Sequence, residues 1–215
     1  VLTRDVAYDT LPRRDRSAAH ASIARWLEDT LGERAREFLE LLSYHWFEAY
    51  RACTSTDPQE IEALRLQAFD RTLRAAQETG RRYALKKSER LAGQAIDLAS
   101  TPPERSLAYE ASAEAFFSDY DGDESWRGFT AAAEAELAAT PSDPIRVSGL
   151  SGRAVEIATR WPGSVRIAPP ESEVRRFLEL GIDHLPSGDS RERVQLLGTK
   201  ASWPFAFPTL RLLAR

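Results

Sequence analysis

The chain has 215 residues, 42 % of them hydrophobic and 29 % charged, which is typical of a globular protein with one large or two small domains. Its formal net charge of −4 provides no global basic field that would recruit nucleic acid. Its single cysteine, Cys53, excludes an intramolecular disulfide framework, and the sequence has neither an apolar run that could span a bilayer nor a signal-peptide pattern. We therefore expect a cytoplasmic location and no membrane contact.

Apolar residues recur at helical spacing along most of the sequence, whereas the alternating pattern of strands is almost absent. The first predicted helices cover residues 17–30, 34–50, 60–85, 86–99, 104–120 and 124–139. They are followed by helices over 145–161 and 171–185, with an extended connector at 162–170 between them, and by a last helix capped by Asp189. Pro204 and Pro208 are expected to break the tail that follows. The pattern predicts an all-α fold.

A degenerate internal repeat points to the way in which these helices pack. Small and aromatic residues follow one another as Gly80, Tyr83, Ala92, Ile96 and Ala99, and the pattern returns 33 residues later (113 − 80) as Ala113, Phe116, Ser125, Phe129 and Ala132. Repeats of about 34 residues are typical of tetratricopeptide (TPR) helix pairs. We expect antiparallel helix pairs, stacked as a TPR-like right-handed solenoid, with Gly80 and Ala92 facing each other inside one pair.

The first 50 residues carry a more specific resemblance. Residues 6–11 (Val-Ala-Tyr-Asp-Thr-Leu), His20, and the segment 42–49 around His45 are similar to a junction in bacterial STAND-type signalling ATPases. In that class a nucleotide-binding region is followed by helical repeats, in proteins of the adenylate/guanylate cyclase-associated and the large helix-turn-helix transcription activator types. The chain has no methionine and begins at Val1, so we interpret it as a piece of a longer protein.

The resemblance implies three parts in this chain. Residues 1–53 would be junction helices that follow an upstream ATPase or winged-helix region. Residues 54–144 would be TPR-like repeats, and residues 145–215 a degenerate helical repeat with a C-terminal tail.

Motifs for catalysis or metal binding are weak. Lys87-Ser88 lacks the preceding glycine of a phosphate-binding loop. The acidic segment 119–123 would need glycine and glutamate where Glu124 and Thr130 stand, so a turn with Asp123 as a helix cap is favoured over a calcium loop. The three histidines show no metal-ligand spacing, and a basic cluster at residues 81–87 is interpreted as a solvated helix end. We expect no cofactor, no metal, no nucleic acid and no catalysis by this chain.

The remaining hypotheses concern binding. The first helices of stacked pairs would line a concave face, where the repeat alignment puts one polar set: Arg74, Gln77, Arg81, Glu110 and Glu114. The leading interpretation is a non-catalytic protein-interaction and regulatory module whose partner is a protein or another domain of the same parent chain. The alternative is a repeat domain of a transcription regulator or cyclase that senses a small ligand. Mixed charge on this face suits a polar peptide, a neighbouring domain or a polar ligand.

Overall fold

The computed structural model describes residues 10–207, and all regular secondary structure within that range is helical. The α-helices, numbered here in chain order, are α1 (Arg13–Leu31), α2 (Leu39–Ala52), α3 (Pro58–Arg81), α4 (Leu85–Leu98), α5 (Pro102–Ser118), α6 (Gly122–Leu137), α7 (Pro144–Arg160), α8 (Glu171–Asp183) and α9 (Arg191–Ala206). Short 3-10 segments follow α1 and α7, at Gly32–Phe38 and Pro162–Ser164. The all-α prediction is confirmed, whereas residues 6–9 of the junction motif lie outside the described residues.

Local sequence signals account for where several of the helices begin. The Asp57 side chain accepts a hydrogen bond from the Gln59 backbone N–H, and Pro58 occupies the first turn of α3, as the sequence predicted. A capping box between Thr101 and Glu104 opens α5. These interactions satisfy backbone N–H groups that the first turn of a helix leaves without partners.

Two turns of the same geometry connect α3 to α4 and α5 to α6. Tyr83 has φ 58° and Tyr120 has φ 61°, a left-handed conformation that a helix cannot continue through. Helix α3 therefore ends at Arg81 and not near residue 85, as the periodicity had suggested. In both turns one backbone N–H reaches back to a carbonyl five residues earlier, from Ala84 and from Asp121, at 2.9 Å. The two tyrosines are 37 residues apart (120 − 83).

The contact inside each of these helix pairs repeats with the same offset. Ser88 Oγ donates to the carbonyl of Ala76 at 2.7 Å, and Ser125 Oγ donates to the carbonyl of Ala113 at 3.0 Å. A methyl group built on Gly80 would meet only Ser88 within 4 Å. The prediction that Gly80 faces Ala92 is therefore wrong, and the offset between the two turns and contacts is 37 residues instead of 33. The buried serine hydroxyls, which need a partner, find one in a backbone carbonyl of the preceding helix.

Each helix packs against its neighbours in the chain, and among alternate helices α3 with α5 and α7 with α9 have the most extensive contacts. One cluster of buried apolar residues extends from α1 to the first half of α5. A second cluster extends from the second half of α5 to α9 and includes the fully enclosed rings of Phe129 and Phe177. Helix α5 thus contributes to both clusters. The three-part division of the sequence stays a prediction.

A buried arginine links the first cluster's helices at one end. Arg65 on α3 is only 6 % exposed and donates to the Leu98 carbonyl at 2.7 Å and to both oxygens of Glu104 at 2.9 Å. Burial by itself raises the pKa of Glu104, but the hydrogen bonds from Arg65 and from two backbone amides outweigh it and lower the pKa overall. The pair therefore ties the end of α4 and the start of α5 to α3.

The connector between α7 and α8 lies on the start of α6. Asp123 accepts hydrogen bonds from the backbone N–H groups of Arg166 and Ile167, each at 3.2 Å, and from the Arg166 side chain. The cap of α6 is Asp121, whose carboxylate accepts the N–H of Glu124. The prediction that Asp123 caps this helix is wrong, because its carboxylate holds the connector instead.

The C-terminal aromatic residues close the second cluster. Helix α9 continues through Pro204 to Ala206, so Pro204 does not break it as predicted, and Pro208 lies outside the described residues. Trp203 is 5 % exposed, its ring lies 4.9 Å from that of Phe207, and the Arg175 guanidinium lies over it. Trp203 and Phe207 therefore cover the end of the second cluster, whereas Phe205 is exposed.

Candidate binding groove

Four of the five predicted surface residues line one groove between α3 and α5. Gln77 and Arg81 come from α3, and Glu110 and Glu114 come from α5. The groove has a volume of about 550 Å³, and small apolar side chains of both helices form part of its lining. We call it the α3–α5 groove. Gln77 and Arg81 are one turn apart on α3, and Glu110 and Glu114 are one turn apart on α5. Each pair therefore lies on one face of its helix, and the two faces meet at the groove.

The fifth residue, Arg74, does not belong to this groove. Its guanidinium Nε donates to Asp70 at 2.9 Å on the same helix. It lines a separate cleft near the end of α1, together with Glu28 and Arg71. Arg74 lies three residues before Gln77 and seven before Arg81, so it shares their face of α3, but it stands nearer the start of the helix and borders the other cleft. The predicted set therefore divides into four residues and one.

Both carboxylates of the α3–α5 groove are paired with arginines of α7. Arg146 donates to Glu110 at 2.9 Å, and it also binds the buried Glu136 on α6 at 3.0 Å. Arg153 Nη2 lies 3.0 Å from each oxygen of Glu114. Burial by itself lowers the pKa of Arg146, but Glu110 and Glu136 outweigh it and raise the pKa overall. The acidic wall of the groove is therefore held in place by a third helix.

The α3 wall is the more accessible one. Arg81 is exposed and its only ion pair within residues 10–207 is a 3.5 Å contact to Glu78. Gln77 is exposed as well and donates no side-chain hydrogen bond to a described residue. Tyr83 is 79 % exposed at the end of the groove, where its left-handed backbone conformation turns the chain. These three side chains offer two hydrogen-bonding groups, a cation and an aromatic face to a bound molecule.

Sequence reasoning missed Tyr83 and the two α7 arginines as parts of this site. Arg146 and Arg153 are separated by seven residues, which is two helical turns and therefore one face of α7. The two arginines come opposite Glu110 and Glu114 only when α7 packs beside α5. The sequence alone held no signal for the match.

The basic cluster at residues 81–87 is largely engaged with carboxylates. Lys86 binds Asp119 at 2.7 Å and Lys87 binds Glu40 at 2.8 Å. Arg82 pairs with Glu78 at 2.8 Å. This agrees with the interpretation of the cluster as a solvated helix end.

The two N-terminal histidines form a pair between α1 and α2. Nδ1 of His20 lies 2.9 Å from Nδ1 of His45, so one ring donates its N–H and the other accepts with an unprotonated nitrogen. Burial lowers the pKa of both rings. For His20 the carboxylate of Glu48 opposes this and the Arg51 guanidinium adds to it, and for His45 the ring of His20 adds to it.

Within the part of the chain that the structure describes, no cluster of three or more His, Cys, Asp or Glu side chains is arranged to hold a metal ion. Cys53 is a half-buried free thiol. Among the described helices, none has both the length and the apolar character needed to cross a membrane.

Comparison with known proteins found no matching family model, no similar curated protein and no similar solved structure.

Proposed function

We propose that this chain is a non-catalytic interaction module in which helix pairs stack as a TPR-like right-handed solenoid. From α3 to α9, polar side chains link each helix to the next but one along the chain. Arg65 binds Glu104 between α3 and α5, Arg153 binds Glu114 between α5 and α7, and Gln195 binds Glu156 between α7 and α9. Each of these contacts joins residues 39 apart in sequence. A constant separation of this kind is what a stack of similar units produces.

The observation that carries the proposed function is the α3–α5 groove. It combines the exposed Arg81, Gln77 and Tyr83 with an acidic wall that α7 fixes. Mixed charge beside small apolar residues suits a peptide segment with polar side chains, because such a segment can pair both signs. The partner is a protein or another domain of a longer parent chain. A cytoplasmic location and a STAND-type parent also belong to this proposal: the location rests on composition, and the parent rests on the sequence resemblance alone.

A selection of random peptides displayed on phage tests the proposal. We expect the chain to enrich a family of related peptides, and Arg81→Glu to weaken their binding by about tenfold, because it removes one charge contact and adds a repulsion. Arg74→Glu is the matched control: it makes the same charge change on the same helix outside the groove and should leave the affinity unchanged. If the selected peptides bind both variants equally, their binding site is not this groove.

Small-molecule sensing remains the second candidate, since about 550 Å³ is within the usual range of ligand sites. A ligand that binds only the folded state raises the melting temperature. A thermal-shift screen of metabolites therefore separates the two candidates: a hit that Arg81→Glu abolishes and that displaces no selected peptide favours the sensor.

A further inference from the structure

A second groove lies between α1 and α3, away from the α3–α5 groove. It has a volume of about 610 Å³. Helix α1 lines it with a stripe from Arg14 to Arg25, and α3 lines the opposite side from Glu60 to Gln67. Trp46 of α2 closes it at the Arg25 end, and the segment just before α3 closes it at the other. We call it the α1–α3 groove.

The side chains around Trp46 leave Arg25 without a carboxylate partner. Trp46 Nε1 donates to Glu28 at 3.2 Å, and the same carboxylate oxygen accepts from Arg71 at 2.7 Å. The guanidinium of Arg25 lies 5.6 Å from the centre of the Trp46 ring. No Asp or Glu of residues 10–207 forms an ion pair with Arg25, which is exposed in the groove. Its positive charge is therefore positioned by the ring and is not neutralised.

The two ends of the α1–α3 groove differ in charge. At the far end Arg14 is highly exposed, and Glu60 accepts a 2.6 Å hydrogen bond from Ser55. Positive and negative groups are thus both present there. At the Arg25 end, Gln67 provides an amide and no described acidic residue lines the groove. A ligand with a carboxylate is complementary to the Arg25 end only.

We propose that the α1–α3 groove binds an extended peptide segment that carries an acidic side chain at its Arg25 end. Arg14 and Arg25 are eleven residues apart, so the groove is about 16 Å long along the helix. That length holds about five residues of extended peptide at roughly 3.3 Å per residue. A guanidinium that already lies over an aromatic ring loses less side-chain freedom when it binds a carboxylate. The two groups are planar and can form two parallel hydrogen bonds. The inference goes beyond the proposed function because it assigns a separate groove and the chemistry of its ligand.

Nuclear magnetic resonance of the ¹⁵N-labelled chain provides the test. The probes are two amidated pentapeptides of identical sequence except for Glu or Gln at one end. We expect the Glu peptide to shift the Arg25 Nε–H and Trp46 indole N–H resonances and to bind at least about fivefold more tightly than the Gln peptide. Arg25→Gln should remove this difference, Arg25→Lys should keep part of it, and Arg81→Gln, in the other groove, should keep all of it.

Four results would overturn the inference. The first is that neither peptide shifts these two resonances at about 5 mM, where even a millimolar affinity gives a measurable effect. The second is a preference for Glu that persists in Arg25→Gln. The third is that a short single-stranded oligonucleotide shifts them and the Glu peptide does not. Shifts confined to Gln77, Arg81 and Tyr83 would also contradict the inference, while they would leave the proposal for the α3–α5 groove standing.

Discussion

The close contact between α5 and α6 makes a quantitative prediction for Gly128→Ala. A methyl group on Gly128 would lie 2.8 Å from the Cβ and 3.1 Å from the Cα of Ala113. Alanine in place of glycine inside a helix gains about 1 kcal/mol, whereas overpacking a fitted contact costs about 1–3 kcal/mol. We therefore expect Gly128→Ala to lower the free energy of unfolding by up to about 2 kcal/mol, because two backbones would have to move apart.

Gly93→Ala is the matched control. Gly93 lies inside α4, and a methyl group there would meet no heavy atom within 4 Å, so the substitution should stabilise the chain by about 1 kcal/mol. The difference between the two variants isolates the cost of the contact, about 1–3 kcal/mol. Urea denaturation followed by circular dichroism at 222 nm measures both values. If Gly128→Ala is as stabilising as Gly93→Ala, the contact between Gly128 and Ala113 is not tight and the proposed packing of α5 on α6 is wrong.

Two further predictions concern ionisable groups. The lowered pKa values of His20 and His45 mean that the unfolded chain binds more protons near pH 6, so stability is fully present above the unfolded pKa of about 6.5 and falls as the pH decreases. Denaturation midpoints between pH 8 and pH 5 should show this loss, and His45→Gln should reduce it; an unchanged pH profile would contradict the pairing. Glu104→Gln should cost about 2 kcal/mol, because it removes one of the two carboxylate partners of the buried Arg65 and leaves only Glu62, whereas Glu37→Gln, in an exposed pair, should cost less than about 1 kcal/mol. If denaturant unfolding shows that both variants lose the same unfolding free energy, the buried pair stabilises the fold no more than the exposed pair does.

The sequence by itself determined the helices and most of their ends. Helical periodicity depends on which residues need burial every three to four positions, and caps such as Asp57 depend on neighbours in the chain. Both are local properties, so a single sequence is enough to read them. The same local reasoning put Gln77 and Arg81 on one stripe and Glu110 and Glu114 on another.

Only the tertiary structure decided how these stripes meet. The offset of 37 residues is seen in the hydrogen bonds of Ser88 and Ser125 to carbonyls of the preceding helix, and the hydrophobic periodicity of the sequence does not specify these bonds. The partners of Glu110 and Glu114 are on α7. Arg25 has no carboxylate partner among the described residues, because nearby Glu28 binds Arg71, which is 43 residues further along the chain. Such contacts join residues that are distant in sequence, and their choice depends on the shape and polarity of whole helix faces. The sequence supplied the groups, and packing selected which of them are paired and which remain open to a ligand.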